Sequence, residues 1–251
     1  ATSANSLKII HGGLRYLQSA DIKNARRSVR ARRSFMRIAP HFVKPLKFII
    51  PTFGRGLHSR EALYLAMMIN NAVSWDRNRG VRNANRIPAA GVISKPELAR
   101  LLPGVVGTDN YSGGAIWYDG FATHTERLAL ELLKEACDRG ACVCNYVAAE
   151  RLILRERTIV GADVFDSLSG RSCRIQSRVV VNATGAQVDQ LLGSAPIGNP
   201  LPYRWQKAVN VFVKRSLFDD CGVGLYCRVS SAKNSCVPYR TNRFLFFVPL
   251  H

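Results

Sequence analysis

R-V-V-V-N-A-T-G-A, residues 178–186, decides how the chain is read. Its apolar, β-branched run has no polar alternation, which is the pattern of a strand buried on both faces, as in a parallel sheet. A turn of small residues follows, and then Q-V-D-Q-L-L (187–192) reads as a short helix. Strand, tight turn and helix in that order predict an α/β fold.

Upstream, T-E-R-L-A-L-E-L-L-K-E-A-C-D-R (125–139) reads as a helix. Thr123 and Glu126 have capping-box spacing at its start, Leu128, Leu132, Leu133 and Ala136 form the expected buried stripe, and Gly140 ends it. A-C-V-C-N-Y-V-A-A (141–149) is expected as a strand. T-I-V-G-A-D-V-F-D (158–166), a turn at S-L-S-G and R-S-C-R-I-Q-S-R (171–178) then make a meander. This second part of the chain begins near Gly113, with G-G-A-I-W-Y-D-G-F (113–121), where Trp117 and Tyr118 read as core or pocket wall and Asp119 as a turn-ordering residue.

In the first part, Asp21 to about Met36 reads as a helix stopped by Pro40. It carries Arg26, Arg27, Arg30, Arg32 and Arg33, read as a solvated face, and leaves Ile22, Ala25, Val29 and Met36 for packing. P-L-K-F-I-I-P-T-F (45–53) suggests a strand and R-E-A-L-Y-L-A-M-M-I-N-N-A-V (60–73) a helix. The loop Gly54-Arg55-Gly56-Leu57-His58-Ser59 imitates a dinucleotide turn, with Asp76 where a ribose-binding acid would stand. Ser59 in place of the third glycine and Pro51 in the preceding strand count against that reading. Strands are expected at 207–215 and 243–250 after Gly193.

Charge is the unusual bulk property: 36 Lys and Arg against 17 Asp and Glu give +19, which implies an anionic partner without naming it. Seven cysteines are present, with no C-x-x-C pair. Cys137, Cys142 and Cys144 cluster without a histidine at zinc spacing, so free thiols in a reducing compartment are expected and no metal site is assigned. No apolar run reaches the roughly 18 residues of a membrane span.

The opening S-L-K-I-I-H-G-G-L-R-Y-L (6–17), with A-I-W-Y-D-G-F and V-V-V-N-A-T-G-A in the same order of elements, resembles FAD-dependent glycerol-3-phosphate dehydrogenases. That family lies within the D-amino-acid-oxidase-like flavoproteins and carries S-x-K-L-I-H-G-G-x-R-Y-L. The resemblance implies an α/β (mixed α+β) chain in which a partial FAD/NAD(P)-binding Rossmann-like domain is interleaved with a mixed-sheet substrate domain. Residues 1–40 and 113–192 would serve FAD, and 41–112 and 193–251 the substrate or cap. The implied FAD contacts are Thr2, Ser3, Ser6, Lys8, His11, Gly12, Gly13, Val147, Ala183, Thr184 and Gly185. The glycines would let main chain lie against a flat ring, Lys8 would balance charge on the reduced flavin, and Gly185 would present amides at a helix start. Arg15 would grip a substrate phosphate and Tyr16 assist it. His11 is either the base that takes the hydroxyl proton or a contact of the cofactor.

The implied reaction is oxidation of glycerol 3-phosphate to dihydroxyacetone phosphate, with electrons passing to a quinone or similar acceptor. The expected setting is cytoplasmic, peripheral on the inner face of the membrane with acidic lipid as a partner. The family's G-x-G-x-x-G strand–turn–helix is expected ahead of Ala1, which makes the chain a fragment, inactive alone. Two departures bear on the substrate: Lys207-Ala208-Val209-Asn210 stands where the family carries K-G-x-H, and the chain stops where G-T-T-D would follow. Three rival readings remain: another oxidoreductase of the superfamily acting on an amino or hydroxy acid, a basic nucleic-acid-binding protein built on the arginine helix, and a non-catalytic remnant with the fold's substrate half only.

Overall fold

The spine of the molecule is a long antiparallel pair. Strands β2 (Val43–Phe53) and β4 (Tyr111–Ala122) run in register from Val43 opposite Ala122 to Thr52 opposite Gly113. The computed structural model describes residues 3–53, 59–103, 111–195, 214, 218, 220–228 and 242–247. The free edge of β4 takes two short strands, β1 (Ile9–Ile10) against Phe121 and Gly120, and β3 (Gly91–Ser94) against Ile116 to Gly113. On the other side, β8 (Cys221–Arg228) lies parallel to β2, and β9 (Asn242–Phe247) closes the row antiparallel to β8. The sheet is therefore mixed, in the order β1-β4-β2-β8-β9 with β3 also on β4. Pro45 and Pro51 of β2 both fall outside Lys47–Ile49, the only stretch paired with β8. A proline has no amide to donate, so the second partner is confined to the strand's middle.

Among the described residues, four α-helices accompany this sheet ahead of β4: α1 (Leu14–Leu17), α2 (Ile22–Ile38), α3 (Arg60–Val73) and α4 (Lys95–Leu101). Side-chain caps set the starts of the last three: Asp21 accepts from the Asn24 amide, Ser59 from Ala62 and Ser94 from Glu97. Helix α2 buries Ala25, Val29, Arg32 and Met36 at i, i+4, i+7 and i+11, one stripe of a 3.6-residue repeat. Met36, Val43, Ile49, Leu98, Leu102 and Val223 are wholly buried, each worth roughly 1.5–3 kcal/mol by transfer. The α/β expectation is borne out.

Residues 133–209 form a second compact unit, distinct from 1–132 with 210–251. It holds a three-stranded antiparallel sheet of β5 (Val147–Arg155), β6 (Thr158–Asp166) and β7 (Arg171–Gln176), followed by α6 (Val188–Leu192). Leu152, Leu191 and Ala195 are its small core. Ser194 Oγ ties it together, accepting from the Leu152 amide at 3.1 Å and donating to the Leu191 carbonyl at 2.6 Å.

Several expectations are corrected here. Residues 178–182 are not a strand, and Val179 and Val181 are 75% and 82% exposed. A strand needs neighbours for its peptide groups, and among the described residues none pairs with this one. Residues 141–144 are likewise irregular, and the strand begins at Val147. Helix α5 (Thr125–Asp138) buries Leu128 but leaves Leu132 and Leu133 exposed. The helix starts at Thr125, and the Thr123 hydroxyl two residues ahead donates to the Phe42 carbonyl at 3.3 Å. Ile22 is exposed and Arg32 is buried, the reverse of the expected exchange. The strand expected at 207–215 lies almost wholly outside the described residues, as does the loop 54–58.

Candidate functional site: the loop bound to Asp119

Pairing of β1 with β4 brings His11 and Gly12, at the head of the loop 11–17, to Asp119. The Asp119 side chain is 5% exposed and carries three donors. The Gly12 amide donates to Oδ1 at 2.6 Å, Arg32 Nη1 donates to Oδ1 at 2.6 Å, and His11 Nδ1 lies 3.2 Å from Oδ2. Arg32 Nη1 also donates to the Tyr118 carbonyl at 2.7 Å. Loop, helix and strand are thus pinned by one carboxylate. Burial pulls the Arg32 guanidinium below its usual range, and the Asp119 charge opposes that shift.

The two glycines are required by α2. A Cβ on Gly12 would stand 2.0 Å from Arg32 Nη1, and one on Gly13 would stand 2.9 Å from Ala25 backbone atoms. Gly13 has φ +89, the left-handed conformation that starts α1. With the inner side of the loop taken by α2, the groups of chemical interest face outward. The His11 side chain is 67% exposed, and Arg15 and Tyr16 are exposed as well. Arg15 meets no carboxylate among the described residues, so its guanidinium is free for an anion. Asp119 against His11 Nδ1 leaves Nε2 facing away from the carboxylate, the arrangement that orients an imidazole for proton transfer.

Ser3, Ser6 and Lys8 line a cavity of about 280 Å³ together with Ile9, Ile10, Phe35, Thr125 and Leu128. The Ser6 hydroxyl donates to the Ser3 carbonyl and accepts from the Lys8 amide, and Lys8 sits at φ +59, sparsely populated for a non-glycine residue. Hydroxyls and an ammonium above an apolar floor suit a ligand with an anionic end and a flat apolar body. The residues present therefore fit part of an FAD. In the second unit, Val147 opens β5, and Ala183, Thr184 and Gly185 form an exposed turn. There Asn182 Oδ1 accepts from the Thr184 hydroxyl at 2.7 Å, and Gly185 begins a short 3-10 turn leading into α6. Thr2 lies outside the described residues.

Asp76 has a different task from the ribose contact its spacing suggested. It accepts Arg26 through both oxygens, at 2.5 and 3.1 Å, and Arg33 at 2.5 Å, locking α2 to the turn after α3. Those guanidinium bonds hold its carboxyl at about 2. Asp119 and Arg32 are the residues that sequence reasoning missed. The signal was there, since Arg32 falls on the stripe of Ala25, Val29 and Met36, and an arginine on a buried stripe requires a carboxylate.

The first unit carries a mixed sheet with a basic loop at its edge, and the second unit carries an antiparallel sheet of its own. The chain belongs to the FAD dependent oxidoreductase family, which it matches over residues 1–246. Its relatives include a glycerol-3-phosphate dehydrogenase of Synechocystis, 32% identical over 200 residues, covering 78% of this chain and 34% of the relative. An alpha-glycerophosphate oxidase of Streptococcus pyogenes is 32% identical over 219 residues, covering 85% and 34%. An aerobic glycerol-3-phosphate dehydrogenase of Staphylococcus epidermidis is 28% identical over 218 residues, covering 86% and 37%. The chain spans about a third of the length of these relatives. In fold it is similar to a Bacillus halodurans glycerol-3-phosphate dehydrogenase complexed with FAD, with TM-score 0.50, 24% identity, and 77% of this chain and 29% of that one covered. No helix among the described residues is long and apolar enough to cross a membrane.

Proposed function

We propose that the chain is part of an enzyme that oxidises sn-glycerol 3-phosphate to dihydroxyacetone phosphate with FAD and passes the electrons to a quinone-type acceptor. The observation that carries this reading is the Asp119-bound loop, which presents His11, Arg15 and Tyr16 outward within six residues. The names of the relatives supply the substrate class.

Each residue has a defined part. Arg15 holds the substrate phosphate by two parallel bonds, and Tyr16 adds a hydroxyl donor. His11 Nε2 takes the proton of the substrate hydroxyl, with Asp119 fixing the ring through Nδ1. Gly12 and Gly13 hold the loop low against α2, keeping the histidine beside the cofactor position. Ser3, Ser6 and Lys8 from the first unit, with Thr2, Val147, Ala183, Thr184 and Gly185, are the proposed cofactor contacts. FAD, when bound, takes up the hydride released from the alcohol carbon. Residues 1–40 and 113–192 serve the cofactor in this scheme, and 41–112 and 193–251 the substrate. The charge of +19 supports a phosphorylated substrate and peripheral attachment to an acidic membrane on the cytoplasmic side.

The test uses the full-length protein. Flavin absorbance should accompany purification, and glycerol 3-phosphate should bleach it anaerobically. Arg15→Lys should raise KM at least about tenfold, since Lys cannot make the paired bonds. His11→Gln should lower kcat by about 10²-fold or more with KM little changed. Turnover of an amino or hydroxy acid with none of glycerol 3-phosphate would replace the substrate assignment, and a colourless protein would remove the reading altogether.

A further inference from the structure

A second basic cavity, of about 400 Å³, is lined by Arg33 and Arg37 of α2 and by Arg79 and Gly80 of the turn after α3. None of these residues belongs to the His11–Arg15 loop. Arg33 is anchored through Nη1, which donates to the Asp76 carboxylate at 2.5 Å and to the Asp76 carbonyl at 3.2 Å. Its Nε is buried and has no hydrogen-bond partner among the described residues. A buried guanidinium N–H with nothing to donate to marks a place where an acceptor belongs.

The other two guanidiniums, unlike that of Arg33, meet no acid among the described residues. Arg37 lies across Gly80: a Cβ there would stand 3.0 Å from Arg37 Nε, and the residue's φ of +74 is left-handed. Glycine keeps the turn flat enough for the side chain to cross it. Arg37 and Arg79 are exposed and meet no carboxylate among the described residues. The nearby acid, Asp76, is already shared by Arg26 and Arg33. Residues 22–38 carry seven cations, and residues 74–90 carry four arginines against Asp76 alone.

Three guanidiniums around a concave, acid-poor cavity call for a ligand that only accepts hydrogen bonds, bears more than one acceptor oxygen and is anionic. A tetrahedral phosphate meets all three demands, and arginine forks match its oxygens in pairs. We propose that Arg33, Arg37 and Arg79 form a phosphate-binding site, separate from the substrate loop, that takes the phosphate of a soluble phosphomonoester or of a phospholipid headgroup.

Two titrations of the full-length protein test this and distinguish the sources. Calorimetry with inorganic phosphate reports the soluble ligand. Sedimentation with phosphatidylcholine vesicles, with and without phosphatidylglycerol, reports the headgroup. At least one should show saturable binding that R37Q/R79Q weakens by about tenfold or more. The charge-matched pair R155Q/R157Q, exposed on the second unit, should change it less than about twofold, because screened surface charge acts weakly at a distance. Phosphate binding assigns a soluble ligand, and vesicle binding without phosphate binding assigns the headgroup. Absence of both, or equal weakening by the two variant pairs, overturns the site. Should R37Q/R79Q melt early, R37K/R79K replaces it: charge is kept and the fork lost, and unchanged affinity would again overturn the site. The readout is binding, so its failure is distinct from failure of the oxidoreductase proposal, which is read by turnover.

Discussion

Replacing Asp119 with alanine isolates the contact on which the loop depends. The change strips acceptors from the Gly12 amide and His11 Nδ1 and leaves the Arg32 guanidinium, 6% exposed, without a counter-charge. Guanidinium and carboxylate charges about 4 Å apart attract by roughly 4 kcal/mol at an effective dielectric of about 20. Breaking a buried pair from one side costs about 3–5 kcal/mol, because the remaining ion is stranded. For a chain of this size each kcal/mol moves the midpoint by about 2–4 °C. Asp119→Ala should therefore melt roughly 6–20 °C early by calorimetry, with the same loss in urea. The diagnostic step is the double-mutant cycle. Arg32→Met with Asp119→Ala removes both charges and should recover more than about 1 kcal/mol relative to the sum of the singles. A loss below about 1 kcal/mol in Asp119→Ala, or strict additivity in the cycle, would show that the loop is held by something else.

Other outcomes follow from the same geometry. Gly12→Ala forces a methyl into the Arg32 guanidinium and should cost about 1–3 kcal/mol or more in urea unfolding, whereas the exposed Gly140 tolerates added atoms in space, its penalty coming only from φ +91. Asp76 has a folded-state carboxyl near 2 against 3.8 unfolded, so its contribution, about 2 kcal/mol, is complete above pH 4 and disappears as pH falls through 2. The stability gap between wild type and Asp76→Asn should accordingly shrink between pH 5 and pH 2, and a gap that widens on acidification would contradict the ion-pair account. Leu98→Ala, at a side chain with no exposure, should cost about 2–5 kcal/mol by denaturant unfolding, while Val181→Ser, at an exposed one, should stay within about 0.5 kcal/mol.

What the sequence disclosed was mostly local. Helix α3 was legible to the residue from its apolar run ending at Val73, and the structure adds Ser59 as its cap. The hairpin of β6 and β7 was legible because the turn around Gly170 separates two clear strands. The misreadings share a cause: each concerned what lies beside a segment rather than the segment itself. Val179 and Val181 have strand composition, but strand structure is a property of pairs. Leu132 and Leu133 have helix-stripe spacing, but spacing identifies a face without supplying the surface that covers it. Gly12 and Gly13 were readable as a place of close approach, and the structure supplies the approaching group on one side, helix α2. The small elements β1, α1, β3 and α4 went unread, since two to seven residues carry little periodicity.

The excess positive charge is better understood as two populations of arginine than as a single field. Arg26, Arg32 and Arg33 turn inward to Asp76 and Asp119, where they hold α2 against the turn and the strand. Their bonds to these acids are mechanical, and the two carboxylates offset part of their charge, with Arg33 Nε alone left over. Arg15, Arg37 and Arg79 are left without a carboxylate among the described residues. The first lies four residues after a histidine that a carboxylate orients, and the other two share a cavity with an Arg33 Nε that has no hydrogen-bond partner among the described residues. An arginine already bonded on both sides gives an incoming anion little to bind, so these uncommitted guanidiniums are where anionic ligands should act. Salt should then weaken ligand binding at both places while leaving the buried Arg32–Asp119 pair nearly untouched, because screening reaches exposed charges far more than buried ones. Melting temperature and binding affinity measured across the same salt series should diverge accordingly, and a parallel fall of the two would mean that the inward arginines are solvated after all.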